Sequence, residues 1–172
     1  LFPYTTLFRF RDTSRRRGYV READMKRIYV NENCCLGCKL CEYECMFAGS
    51  GLDEMFKLKG KLDRYVPKIK VEGDDGVDVH FAVNCRHCTN AICVQSCIAG
   101  ALSKSDDGMV VIDKNKCVGC FTCVLVCPFG AIMPDASGKA AQKCMLCTDN
   151  GRDMPTCVKY CPNGAIVFEE RD

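Results

Sequence analysis

The sequence predicts an α+β fold of tandem small units, with short strands and short helices gathered around bound metal instead of a large apolar core. Three observations predict it. Cysteine is unusually dense, 17 in 172 residues, with no tryptophan and two histidines, His80 and His87. Sixteen of the cysteines fall into four regularly spaced groups, and three of those groups share one tail. Short β-rich runs precede several groups.

Cysteine at this density means disulfides or metal. A secreted disulfide scaffold is usually short and carries an export signal, and nothing here resembles one. Ser14-Arg15-Arg16-Arg17 superficially matches a twin-arginine signal, yet Arg21, Glu22, Asp24, Lys26 and Arg27 follow where an apolar stretch should. No run of apolar residues is long enough to span a membrane. The formal charge is +2, but residues 1–24 hold six Arg against three acids, so the rest carries 18 basic and 19 acidic groups. Metal-bound thiolates would make that body more negative still, which disfavours a nucleic-acid partner.

Residues 1–24 lack cysteine and clear periodicity, and are set apart as a non-native or disordered extension; a basic docking arm is the alternative. Met25 reads as the natural start, with Met25 to Val30 as a first strand. The first cysteine group is Cys35-x-x-Cys38-x-x-Cys41-x-x-x-Cys45. A spacer, 46–84, follows it, in which Asp74-Asp75-Gly76 should turn; it reads either as a partner-contacting connection or as a solvated insertion. Val79 to Val83 is a strand before the second group, Cys85-x-x-Cys88-x4-Cys93-x-x-x-Cys97. Met109 to Ile112 is a strand before the third, Cys117-x-x-Cys120-x-x-Cys123-x-x-x-Cys127-Pro128. The fourth is Cys144-x-x-Cys147-x9-Cys157-x-x-x-Cys161-Pro162. The shared tails are Cys97-Ile-Ala-Gly-Ala-Leu102, Cys127-Pro-Phe-Gly-Ala-Ile132 and Cys161-Pro-Asn-Gly-Ala-Ile166. Glycine there permits a tight turn, and the apolar pair after it starts a return strand. Each unit therefore reads as strand, ligand loop, short helix, turn, strand.

Three cysteines at two-residue intervals wrap a loop around one compact body, with three thiolates converging on a face of an iron-sulfur cubane and backbone N–H groups turned toward its sulfides. A fourth cysteine three residues on cannot comfortably close the same cube. In two-cluster ferredoxins that cysteine, followed by Pro, ligates the other cluster, and the third group here matches that pattern throughout. Zinc would need two Cys-x-x-Cys pairs closing on one ion. Only the fourth group could bend to that, and its tail repeats the iron-sulfur one. Dithiol redox chemistry is disfavoured because the motifs do not share one βαβ frame. Cys34 is left over and reads as a small buried apolar residue.

On these four motifs the chain, from Met25 on, resembles the four-cluster ferredoxin-like electron-transfer subunits that accompany molybdopterin and tungsten oxidoreductases, such as DMSO reductase, formate dehydrogenase and aldehyde oxidoreductase, and that accompany carbon monoxide dehydrogenase and hydrogenases. The resemblance implies four [4Fe-4S] clusters in tandem bacterial-ferredoxin-like units with pseudo-twofold symmetry. It pairs the first motif with the fourth and the second with the third, the last cysteine of each crossing over. Carried onto this chain, one cluster takes Cys35, Cys38, Cys41 and Cys161, and its neighbour takes Cys144, Cys147, Cys157 and Cys45. Another takes Cys85, Cys88, Cys93 and Cys127, and the last takes Cys117, Cys120, Cys123 and Cys97. The polyferredoxin body, 25–172, then divides into one half from 25–50 and 136–172, another from 80–133, and an insertion, 51–79. Some relatives replace the third cysteine of the third motif, but Cys123 is present. Met46 and Ile98 stand where Pro often follows, which puts the turns there in doubt.

Arg86 and His87, inside the second motif, can raise a cluster's potential as nearby charge or donor, or can be solvated loop residues; Lys39 has the same two readings. Phe121, Phe129 and Tyr160 can shield clusters from water. No dinucleotide fingerprint, Walker motif or nucleophile elbow is present. The expected role is thus single-electron relay without a substrate site, between a catalytic oxidoreductase subunit and a flavoprotein, hydrogenase or ferredoxin. The expected location is the cytoplasm of an anaerobe.

Overall fold

The computed structural model describes residues 25–74, 76 and 79–171; the extension 1–24 lies outside them. In chain order the elements are β1 (Arg27–Val30), α1 (Leu40–Ser50), β2 (Ile69–Asp74), β3 (Val79–Asn84), α2 (Ile92–Gln95), β4 (Leu102–Lys104), β5 (Val110–Ile112), α3 (Thr122–Val126), β6 (Ile132–Pro134), β7 (Ala141–Lys143), α4 (Thr156–Lys159) and β8 (Ile166–Glu169). Short 3-10 turns occur at Glu32–Cys34, Met55–Leu58, Leu62–Arg64 and Thr148–Asn150. This mixture of short strands and short helices is a ferredoxin-like α+β fold. Among the described residues no helix is long and apolar enough to cross a membrane.

The strands pair antiparallel in twos: β1 with β8, β2 with β3, β4 with β5 and β6 with β7. The first and last strands meet in register Ile28↔Phe168 and Val30↔Ile166, burying Ile28 and Ile166. The β2–β3 hairpin turns at its expected place, where the Asp74 carboxylate accepts the Gly76 N–H at 2.9 Å. Helix packing follows the same long-range logic, α1 against α4 and α2 against α3.

The three tails turn as their glycines require. Gly100, Gly130 and Gly164 have φ of 59–60°, a region nearly closed to other residues. Their N–H groups bond the carbonyls of Cys97, Cys127 and Cys161 at 3.1–3.3 Å. Ile98 in place of Pro therefore does not prevent the turn. The alanines that follow, Ala101, Ala131 and Ala165, are buried, as are Leu102, Ile132 and Ile166 at the strand starts.

The first motif departs from its repeats. With Met46 in place of Pro and good helix formers around it, α1 runs straight through Cys45 for 11 residues and stops at Gly51, φ 67°. The spacer also departs from a solvated insertion. Leu58, Ile69 and Val71 are buried, and Ile69 and Val71 join the main apolar cluster with Ile28, Ala82, Ala131 and Leu146. The Glu42 carboxylate on α1 accepts the Val71 N–H at 2.5 Å. A second apolar cluster gathers Ala91, Leu102, Val110, Ile132 and Ala141. Cysteines from all four motifs are packed into or against these two clusters.

Candidate metal centres

Each Cys-x-x-Cys loop curls by the same device. The residue before the second cysteine has positive φ in all four: Gly37 (65°), His87 (47°), Gly119 (70°) and Leu146 (54°). Lys39, Phe121 and Cys147, at or just after that cysteine, are left-handed too. A left-handed residue at this point tips neighbouring N–H groups to one side and makes a concavity that favours anions. Sequence reasoning missed this recurrence because His87 and Leu146 stand where glycine would have signalled it.

Gly119 is doubly constrained, since a Cβ there would also strike the Lys139 carbonyl. At Gly138, φ is 67° but a Cβ would meet open space. Gly119→Ala is expected to lower the thermal midpoint of the iron-loaded protein well beyond Gly138→Ala, which carries only the left-handed cost of about 1–2 kcal/mol. Paired melting curves check this.

The sixteen grouped cysteines line four cavities, each with about 330–420 Å³ of atom-free space including its mouth. Site A is lined by Cys35, Cys38, Cys41 and Cys161. Site B is lined by Cys45, Cys144, Cys147 and Cys157. Cys85, Cys88, Cys93 and Cys127 line site C, and Cys97, Cys117, Cys120 and Cys123 line site D. In every site three cysteines come from one motif and the fourth from another. Cys34 is not the buried apolar residue expected: it is only partly buried and lines site A beside Cys35.

Burial makes these pockets hostile to bare thiolates. It pushes the Cys41 and Cys144 thiols up to about 12 and Cys45 to about 11, and raises Cys157 further, with neighbouring thiolates adding to the effect. Donors oppose it: the N–H of Lys68 reaches Cys45 Sγ at 3.2 Å and that of Leu146 reaches Cys144 Sγ at 3.4 Å. The Ala141 N–H donates to Cys117 Sγ at 3.5 Å. The backbone and hydroxyl of Thr122 lower the exposed Cys120 thiol. Thiolates ringed by thiolates in low dielectric need a cationic centre to hold them.

His87 is fully buried, and its Nδ1 accepts the Val110 N–H at 3.1 Å. Burial, then the charges of Lys143 and Arg27, lower its pKa to about 3, so the ring is neutral with its proton on Nε2. Among the described residues no acceptor meets that Nε2. A buried donor without an acceptor is costly, and in a ligand loop a cluster sulfur is the natural acceptor. Arg86 is no solvated loop residue; its guanidinium lies 5.8 Å from the ring centres of both Phe81 and Phe129. Phe121 and Phe129 line sites D and C, whereas Tyr160, exposed to the same degree as Phe129, lies beneath Lys159 Nζ at 5.3 Å and lines none of the four sites. Four motif thiols per cavity, inward donors and an orphaned imidazole N–H fit the donor set of iron-sulfur clusters.

Fold and sites together define an iron-sulfur electron-transfer protein. Residues 77–171 match the 4Fe-4S dicluster domain, and the chain belongs to that family of 4Fe-4S electron-transfer subunits. It is 35% identical over 159 residues to the "Iron-sulfur protein" of Rhodospirillum rubrum, covering 84% of this chain and 82% of that one. It is 33% identical over 148 residues to the thiosulfate reductase electron transfer subunit PhsB of Salmonella typhi, covering 83% and 74%. It is 38% identical over 148 residues to the putative oxidoreductase AegA of Escherichia coli strain K12, covering 81% of this chain but only 21% of AegA.

Proposed function

We propose that this chain holds four [4Fe-4S] clusters, one in each of sites A to D, and relays single electrons between a catalytic oxidoreductase subunit and a second redox partner. One observation carries the reading: each ligand set that crossed pairing requires lines a single cavity. When bound, each cluster supplies a one-electron store. The polypeptide holds it, excludes water and aims N–H groups at its sulfurs.

Among the described residues, no three His, Cys, Asp or Glu side chains are arranged to hold a single metal ion. Zinc would draw its sulfurs to within about 2.3 Å of one point; thiols spread around a cavity suit a larger body. The division into two halves, 25–50 with 136–172 and 80–133, joined by the insertion 51–79, is supported by packing of α1 on α4 and of α2 on α3. Pairing of β1 with β8 and of β4 with β5 supports it as well.

A row of sites is supported by packing: α1 carries Cys41 of site A and Cys45 of site B, and Cys144 of site B packs in the same apolar cluster as Cys85 of site C. Cys127 of site C packs against both apolar clusters, the second of which also holds Cys123 of site D. The two exposed cysteines, Cys38 and Cys120, belong to the end sites A and D. Electrons enter at one end and leave at the other. The partners are a molybdopterin or tungsten enzyme, carbon monoxide dehydrogenase, hydrogenase or flavoprotein, in the cytoplasm.

The test is anaerobic expression with iron and sulfide analysis, then dithionite titration followed by electron paramagnetic resonance. The expected result is about sixteen irons and sixteen sulfides per chain, all in reducible clusters. Zinc in their place, or iron that dithionite does not reduce, overturns the reading.

A further inference from the structure

Lys143, at the end of β7, is 0% exposed. Its Nζ donates to the Cys144 carbonyl at 2.6 Å and lies 3.9 Å from Met145 Sδ. Among the described residues no carboxylate forms an ion pair with it. An ammonium buried without an anion is among the costliest arrangements in a protein, and it persists only where something else carries negative charge. Lys143 immediately precedes Cys144 of site B, and its register partner on β6 is Ile132, which lines site C. It therefore acts on the ligand shells of the two inner sites, where one half of the row meets the other.

We propose that Lys143 is a fixed buried positive charge shared by sites B and C, which compensates their thiolates and raises the reduction potentials of both inner clusters. The proposal rests on the four-cluster reading. A positive charge in low dielectric favours the state with the extra electron, so the inner stations accept electrons more readily than they would in a neutral surround. Lys143 is a positioning residue for charge; it ligates nothing.

The experiment compares Lys143→Met, which keeps length and apolar bulk, with Lys143→Arg, which keeps charge, and with Lys116→Met as control. Lys116 precedes Cys117 as Lys143 precedes Cys144, but its side chain is 65% exposed, so its charge is screened by water. Each holoprotein is titrated anaerobically with dithionite under electron paramagnetic resonance. Two of the four potentials are expected to fall in Lys143→Met, the equilibrium for adding an electron weakening at least about tenfold, or about 59 mV for a one-electron step. Lys143→Arg and Lys116→Met should stay near the parent.

If Lys143→Met retains its iron and its potentials do not move, the proposal is overturned. It is also overturned if Lys143→Arg shifts potentials as far as Lys143→Met, or if both lose iron alike, since packing would then be what matters. Loss of iron in Lys143→Met alone upholds the charge requirement. Iron counting on the parent protein stands apart from these outcomes: about eight irons would end the four-cluster reading, while the Lys143 comparison would still be read on the clusters present.

Discussion

Replacing Cys45 with alanine is expected to abolish the same spectroscopic signal as replacing Cys147, although Cys45 lies in the first motif and Cys147 in the fourth. Cys41 and Cys45 are four residues apart on α1 and so share a helix face. Yet Cys41 lines site A and Cys45 lines site B. The helix is thus wedged between two cavities and serves both. Cys45 is set for the second of them by the Lys68 N–H at 3.2 Å, and α1 is held to α4 where the Thr156 hydroxyl donates to the Glu44 carbonyl at 3.3 Å.

The matching pair is Cys38→Ala and Cys161→Ala, which should remove a second, different signal. Each variant is expected to lose between one and four of about sixteen irons. The crossed ligands should also cost stability beyond the lost metal bonds. A clip joining position 45 to the fourth motif closes a loop of roughly 100 residues, worth on the order of 4 kcal/mol in the chain-entropy treatment of cross-links. Metal analysis, electron paramagnetic resonance and thermal melts of the four variants decide it. If Cys45→Ala and Cys38→Ala removed one signal together, each motif would close its own site, and the crossed arrangement would be wrong.

Much of this architecture was legible because chemistry at each site is written in local spacing. The two-residue intervals of Cys35, Cys38 and Cys41 curl a loop wherever they occur, and Gly100, Gly130 and Gly164 turn because their φ of 59–60° is open to glycine. Long-range choices were harder to read. The spacer offered Lys, Asp and Gly in abundance, so it read as a solvated insertion or a partner-contacting connection, not as part of the core. Only tertiary packing shows that Ile69 and Val71 on β2 complete the core beside Ile28 and Ala82. The α1 extension followed from one missing proline at Met46, a change that loosens a turn without saying how far a helix will run. Lys143 gave no signal at all. Lysine is normally exposed, and its place among the largest fully buried side chains depends on neighbours far away in sequence.

Removal of iron is expected to unfold the described body, not merely to empty it. The polypeptide alone has little with which to hold itself. Its sheets are two-stranded, and α2, α3 and α4 are only four or five residues long, lengths at which helices and hairpins are marginal in water. Its larger apolar cluster counts Cys41, Cys85, Cys144 and Cys157 among its buried members. These pack as a wall around something, and without it they line voids.

Strain argues the same way. Lys39, His87, Phe121, Leu146 and Cys147 all have positive φ, and each costs roughly 1–2 kcal/mol outside glycine. Together that approaches about 5–10 kcal/mol, comparable to the whole net stability of an ordinary domain. Loops under that load keep their shape only while ligation holds them, so binding free energy and folding free energy become the same quantity. Anaerobic chelation should therefore abolish the cooperative thermal transition in far-ultraviolet circular dichroism and the slow-exchanging amides of β1 and β8. Iron and sulfide restored under reducing conditions should bring both back. A cooperative melt that survived chelation would mean the two apolar clusters suffice alone, and the strained loops would then need another source of stability.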